Sequence, residues 1–346
     1  MKLWWDAHVW LHRHAERVFA EIDFEQVRNI GVIKHAGFGD TLLTRPFLLL
    51  LREHFPNARI TYSIKTNQQQ GVPRDLVDNI HVMPSSRKRR NWATAMKAYR
   101  TFGPQDIIFD LTASTPSFLL TRLTPAKIKV GFQHRNVHKW IYHVAIPRSV
   151  YHFEAETYLE QLHPFGIPYK LPLDFRMPTE TSIDEDAPIA HFTGAATEYK
   201  CWPVEFFAKL ISMIADRYPD KQQVIIAGLQ TWEKERARKI HAEVKSAGMI
   251  SLVDDPEHTE TMIRKASILI SNDTGVRHLA IAHATPTIGI FFATLPFRYW
   301  PRWGHHEVVF RKNGAPPSPE SVFDTLELLL DDITASGVAK TREVFA

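Results

Sequence analysis

Residues 266–296 carry the pattern that most narrows what this chain can fold into: a short apolar run, a polar glycine turn, a helix and a second apolar run in direct succession. Ile268-Leu269-Ile270 is apolar on both faces, as a buried strand of a parallel sheet must be. Asn272-Asp273-Thr274-Gly275 breaks the run. His278, Leu279, Ala282 and His283 then follow at helical spacing, Pro286 bars the helix from continuing, and Thr287 to Phe292 reads as the next strand. In a doubly wound sheet the turn between such a strand and helix lies at the carboxyl end of the strands, where ligands bind. The helix's first N–H groups, unsatisfied within the helix, favour an anion there. Read alone, Asp273 is a helix cap, a position Asp prefers. Asn272 before it and His278 one turn later gather more polar groups at the same strand end, which suggests a site.

The same alternation of strand and helix runs through the rest of the chain and predicts two doubly wound α/β domains that face each other. Residues 2–24 place Leu3, Trp4, Ala7, Trp10, Leu11, Val18 and Ile22 at helical spacing. They predict a helix packed on the first domain or, given three Trp among Lys and Arg, an interfacial one. Ile30 to Ile33 is the first strand. His35-Ala36-Gly37-Phe38-Gly39-Asp40 is its glycine turn, and Thr41 to His54 a helix bent or restarted at Pro46. The turn lacks G-x-G-x-x-G spacing, which disfavours an NAD-dependent dehydrogenase. Asp40 stands where strand gives way to helix, so a capping role and a site role are both open. Further strands are expected at 60–64, 80–83, 106–111, 128–132, 188–192, 223–227 and 250–253, with helices at 118–123, 151–166, 206–218, 232–247, 259–266 and 318–333. Residues 167–188, rich in proline and holding Asp184-Glu185-Asp186, read as a linker rather than a D-x-D metal motif. The tail 334–346 is expected to be poorly ordered.

Charge is distributed unevenly. Residues 1–175 hold 23 Lys and Arg against 15 Asp and Glu, or +8, whereas the remainder holds 19 against 23, or −4. The basic half calls for an anionic partner. Four cations, Arg87-Lys88-Arg89-Arg90, follow an expected strand, and Arg135, His138 and Lys139 follow another. Trp92 is a single aromatic without the interleaved stacking platform of a single-strand binder, so phosphate on a small or lipid substrate is favoured over nucleic acid. His134 and His138 have ligand spacing but no apparent third partner, so no metal is expected. One cysteine, Cys201, excludes an internal disulfide framework and fits a reducing compartment. No apolar run reaches the roughly 18–20 residues that span a bilayer. The first residues are too charged for a signal peptide, so a cytoplasmic protein is expected.

Three segments resemble glycosyltransferase family 9, the ADP-heptose:lipopolysaccharide heptosyltransferases. Gly39-Asp40-Thr41-Leu42-Leu43-Thr44-Arg45-Pro46 is similar to that family's G-D-x-L-x-x-x-P. Lys200-Cys201-Trp202-Pro203 is similar to its K-x-W-P. Asn272 to Ala280, followed by Pro286-Thr287, is similar to its D-T-G-x-x-H-L-A block. Phe291-Phe292-Ala293-Thr294 stands where the family has F-G-x-T, and the extension 1–27 is longer than usual. The resemblance implies the GT-B fold: an acceptor domain (1–175) and a nucleotide-sugar domain (176–346), both Rossmann-like, facing a central cleft. It implies inverting transfer of heptose from ADP-heptose to lipopolysaccharide core, with Asp40 as general base. Lys200, Thr274 and Gly275 would hold the diphosphate, Asp273 the sugar hydroxyls and Glu233 the ribose. His278 would support the phosphate turn, in a donor site that also includes Gly194. Gly39, Arg87, Lys88, Arg89, Arg90, Arg135 and Lys139 would meet the acidic Kdo and phosphate groups of the acceptor. No metal or other cofactor is implied, and the protein would work peripherally on the cytoplasmic face of the inner membrane. The same chemistry on capsule, outer core or protein remains open, as does a non-catalytic binder of nucleotide and polyanion.

Overall fold

The computed structural model describes residues 9–85, 92–178 and 187–335. The chain divides into two compact units, Met1–Phe175 and Arg176–Ala346. In the first, the elements are β1 (Trp10–Leu11), α1 (Arg13–Glu21), β2 (Asn29–Ile33), α2 (Phe38–Leu42), α3 (Arg45–His54), β3 (Arg59–Lys65), β4 (Asn79–Met83), α4 (Trp92–Thr101), β5 (Gln105–Asp110), α5 (Thr115–Leu123), β6 (Ala126–Phe132), β7 (Val144–Ile146) and α6 (Glu154–Leu159). In the second they are β8 (Ile189–Phe192), α7 (Val204–Arg217), β9 (Gln223–Ile226), α8 (Thr231–Val244), β10 (Ile250–Val253), α9 (Pro256–Lys265), β11 (Ile268–Asn272), α10 (Gly275–Ala282), β12 (Thr287–Phe291), β13 (His306–Phe310) and α11 (Pro319–Ala335).

Among the described residues, the first sheet runs β1-β7-β6-β5-β2-β3-β4 and the second β10-β9-β8-β11-β12-β13. Every pairing is parallel except that of β1 with β7. Strand order reverses between β2 and β5 in the first sheet and between β8 and β11 in the second. At such a reversal neighbouring loops leave in opposite directions and open a crevice at the strands' carboxyl ends. The central strands are apolar on both sides because helices cover both faces. In the second unit Ile189, Ile225, Ile268, Ile270, Ile288 and Ile290 pack with Trp202, Phe207 and Leu326 in one buried cluster.

The structure changes several sequence expectations. Among the described residues, the helix expected over 2–24 is confined to α1. Trp10 and Leu11 instead pair with Ala145 and Val144, satisfying polar groups on the edge of β7. Trp10 packs edge-on against His138, 5.7 Å between ring centroids. Trp4 and Trp5 lie outside the described residues, as do Arg87–Arg90, Asp184–Asp186 and the tail from 336. The helix expected over 41–54, bent or restarted at Pro46, is restarted: α2 ends at Leu42 and α3 begins at Arg45, with Pro46 in its first turn, where its missing N–H costs nothing. The helix expected over 151–166 is α6 followed by a 3-10 turn through Pro164, closed by Gly166 at φ 71°. Strands β7 and β13 were not expected from the sequence: one has three residues, and the other opens on His306-Glu307.

Some polar side chains inside the strands pair with one another. His191 of β8 is fully buried and shares a 2.9 Å hydrogen bond with Gln223 of β9. Burial lowers its pKa from 6.5 to about 4. The native state therefore holds the neutral ring, and the unfolded chain binds the proton first as the pH falls. Stability should be full above pH 6.5 and fall by up to about 3 kcal/mol as the pH drops towards 4. Urea melts of wild type and His191→Gln across this range should show the wild-type slope reduced in the variant.

Candidate active site

In the second unit, the loops after β8, β11 and β12 come together at the strand ends. Asn272, the last residue of β11, is buried and ties two of them. Its Oδ1 accepts from the Trp202 amide at 2.9 Å, and its Nδ2 donates to the carbonyls of Thr193 (3.0 Å) and Gly194 (3.1 Å). Arg236 of α8 donates to the Thr193 carbonyl at 3.2 Å and to that of Trp202. The Trp202 indole lies buried against Phe207 and donates to the Pro317 carbonyl at 2.8 Å. The segment that carries Lys200 is thus held from both sides.

Lys200 ends a 3-10 turn, Glu198–Lys200, and its Nζ lies 3.0 Å from Asp273 Oδ2. Thr294, beyond β12, donates to the same oxygen at 2.6 Å. Asp273 is therefore not a helix cap. The cap position of α10 belongs to Thr274, whose side chain makes no capping bond, so the N–H groups at Gly275 are left open to an anion. His278 is buried, and its ring packs on Tyr299 at 5.2 Å. It supports the helix from within. Arg277 is buried as well and donates to the carbonyls of Tyr299 and, at 3.3 Å, of Glu307. Burial lowers its pKa to about 10.

Glu233 lies in the first turn of α8. Its Oε2 accepts from the Gln230 amide at 3.0 Å in a reciprocal capping box. A Cβ on Gly194 would come within 2.2 Å of its Oε1, and one on Gly228 within 2.2 Å of its Cδ. Glycine at both strand ends makes room for the carboxylate, whose pKa burial raises.

In the first unit, Gly37 holds the cap position of α2, and Asp40 lies three residues later, within the first turn of the helix, so it is not the cap. Gly39 is buried, and its carbonyl accepts from the Leu43 amide at 3.0 Å. Asp40 Oδ1 is buried and has no hydrogen-bond partner among the described residues. Its charge reaches two buried phenols, Tyr62 and Tyr158, whose pKa values are raised first by burial. Tyr158 accepts from Lys34 Nζ and donates to Glu154 Oε1 at 2.9 Å. Arg148 pairs with the same carboxylate.

His35, beside Lys34, begins a buried relay. His81 Nε2 donates to the Ala98 carbonyl at 2.7 Å, so its Nδ1 accepts from Ser63 Oγ at 2.9 Å. Ser63 in turn accepts from His35 Nε2 at 3.1 Å. Burial, with Lys65, His81 and Lys34 nearby, lowers the His35 pKa to about 3, so its ring is neutral.

Arg135, at φ 47°, and Lys139 are exposed and have no ion-pair partner among the described residues. His134 packs on Phe118 and His138 on Trp10, so both rings serve packing. Among the described residues no three His, Cys, Asp or Glu side chains are grouped to hold a metal, and no helix is long and apolar enough to cross a membrane.

Two Rossmann-like α/β domains, each with polar groups gathered at its switch point, define a class of folds that bind ligands at the carboxyl ends of their strands. Sequence comparison specifies it: the pattern of glycosyltransferase family 9 (heptosyltransferase) matches residues 96–327, and the chain belongs to that family of glycosyltransferases. It is 25% identical over 301 residues to lipopolysaccharide heptosyltransferase 3 of Escherichia coli K12, covering 79% of this chain and 84% of the relative. In structure it is similar to a family 9 glycosyltransferase of Veillonella parvula, at TM-score 0.68 and 19% identity, over 90% of this chain and 99% of the other. It is also similar to the E. coli heptosyltransferase WaaC solved with ADP, at TM-score 0.67 and 19% identity, over 87% and 99% of the two chains. These likenesses bear out the GT-B fold and the glycosyltransferase assignment.

Sequence reasoning singled out Lys200, Asp273 and Asp40 but missed Thr294, Gly228, Arg277 and the Lys34–Tyr158–Glu154 cluster. Thr294 had a signal in its family-like F-x-x-T segment. Tyr158 and Glu154 had none, because only the fold brings them to the end of β2. Asn272→Ala would leave two loops untied and buried polar groups unpaired. Stability should fall by about 3 kcal/mol, read from the midpoint of a urea melt.

Proposed function

We propose that this glycosyltransferase transfers heptose from ADP-L-glycero-β-D-manno-heptose to a Kdo- or heptose-bearing lipopolysaccharide core, with inversion at the anomeric carbon. The observation that carries the reading is Asp40: a buried carboxylate oxygen, unpartnered among the described residues, in the short helix α2 that follows β2 at the switch point of its sheet. A structural carboxylate would be paired there, whereas a general base must keep an oxygen open for the hydroxyl it deprotonates. The names of the relatives support the substrate class: one is a lipopolysaccharide heptosyltransferase, and one was solved with ADP.

In this mechanism Asp40 takes the proton of the acceptor hydroxyl. The oxygen attacks the anomeric carbon from the side opposite ADP, and the C–O bond to the diphosphate breaks. Lys200 and the N–H groups at Thr274 and Gly275 neutralise the charge that develops on ADP, so no metal or other cofactor is called for. Asp273 takes sugar hydroxyls and Glu233 the ribose, with Gly194 leaving it room. His278 holds α10 in place. On the acceptor side, Gly39 lets the substrate approach Asp40. Arg87, Lys88, Arg89 and Arg90, with Arg135 and Lys139, attract the acidic groups of the core. A lipid-borne acceptor places the enzyme at a membrane surface, peripherally on the cytoplasmic face.

With ADP-heptose and Kdo₂-lipid A, Asp40→Asn should lower turnover by about 10²- to 10⁴-fold and leave ADP affinity unchanged in calorimetry. Lys200→Ala should weaken the binding of ADP and ADP-heptose together. Turnover in Asp40→Asn near the wild-type rate would remove Asp40 as the base. A preference of the wild type for UDP-glucose or GDP-mannose would remove heptose as the transferred sugar.

A further inference from the structure

We propose that Thr294 is a positioning residue that fixes the carboxylate of Asp273 for the donor sugar; this rests on the donor reading above. Asp273 follows β11 and Thr294 follows β12, neighbouring parallel strands that pair Asn272 with Ile290. Both bonds to the Asp273 carboxylate fall on one oxygen: Thr294 Oγ1 donates to Oδ2 at 2.6 Å, and Lys200 Nζ lies 3.0 Å from it. Oδ1 makes no hydrogen bond among the described residues, and the side chain is 12% exposed. The carboxylate thus shows one occupied and one open oxygen, and the open one accepts a hydroxyl.

The two donors differ in what a diphosphate does to them. Lys200 is a cation on a flexible stem, and an arriving diphosphate competes with Asp273 for it. If Lys200 were the only tether, donor binding would release the carboxylate at the moment the sugar needs it. Thr294 is neutral and short, and the phosphate charge does not draw it away. Its hydroxyl proton is committed to Asp273, so its role is to hold that side chain. A carboxylate acceptor makes this hydrogen bond stronger than one between neutral groups. Thr294 therefore acts on the sugar half of the donor and leaves the ADP half alone.

The test is calorimetric titration of wild type, Thr294→Val and Thr294→Ser with ADP-heptose and, separately, with ADP, with thermal melts as the folding control. Thr294→Val should weaken ADP-heptose about 10-fold, the equivalent of about 1.4 kcal/mol, and change ADP affinity by less than about 2-fold. Thr294→Ser, which keeps the hydroxyl, should stay near wild type with both ligands. Should the valine variant fold poorly, Thr294→Ala carries the same expectation. Equal weakening of ADP and ADP-heptose would mark general loop damage and overturn the proposal, as would unchanged affinity for both. Wild-type protein that binds ADP-heptose no better than ADP would overturn the donor reading itself, and the proposal with it, a failure visible before any variant is made.

Discussion

The site in the second domain depends on one buried amide. Asn272 ends β11 in the middle of a parallel sheet, where neighbouring loops diverge and nothing in the strand ladder holds them. Its side chain accepts one backbone N–H and donates to two carbonyls, closing the gap between the loop after β8 and the turn after β11. The Thr193 carbonyl also accepts from Arg236, but the Trp202 N–H and the Gly194 carbonyl rest on Asn272, and a buried polar group left unpaired costs roughly 1–3 kcal/mol. The placement of Lys200 follows from that closure, since Trp202, two residues on, is anchored by its amide to Asn272 and by its indole to Pro317.

The cations of this domain divide by burial. Arg277 and Arg236 are largely withdrawn from water and bonded to backbone carbonyls, which keeps each guanidinium solvated by protein dipoles while it braces a loop. Lys200 stays partly exposed, on a carboxylate that an anion can replace. Sequence shows all three as basic residues beside motifs. What separates the two braces from Lys200 is the acceptor each one meets, backbone carbonyls for the arginines and a carboxylate for the lysine.

The first domain keeps its catalytic candidate open by different means. Lys34, Glu154, Tyr158 and Arg148 form a buried set in which the charges are paired with one another, and His35, Ser63 and His81 form a relay that ends on a carbonyl. These groups satisfy the ends of β2, β3 and β4 internally. Among the described residues Asp40 Oδ1 is left without a hydrogen-bond partner, as are His35 Nδ1 and Arg148 Nε.

The sequence by itself determined the alternation of strand and helix, the two-domain plan and the three motif segments. Each depends on local periodicity or on glycine and proline at fixed offsets, which neighbours in the chain decide. Lys200, Asp273 and Asp40 were legible for that reason. Strands β1, β7 and β13 were not: β1 and β7 have two and three residues, too few to carry a period, and β13 opens on polar His306-Glu307 at the edge of its sheet. Tertiary structure alone decided that Asp273 pairs with Lys200 and Thr294 instead of capping α10, and that Glu233 fits between two glycines 34 positions apart in sequence. Those contacts join residues from separate strand ends, and the order of strands in a sheet, which no local pattern encodes, sets which ends are neighbours.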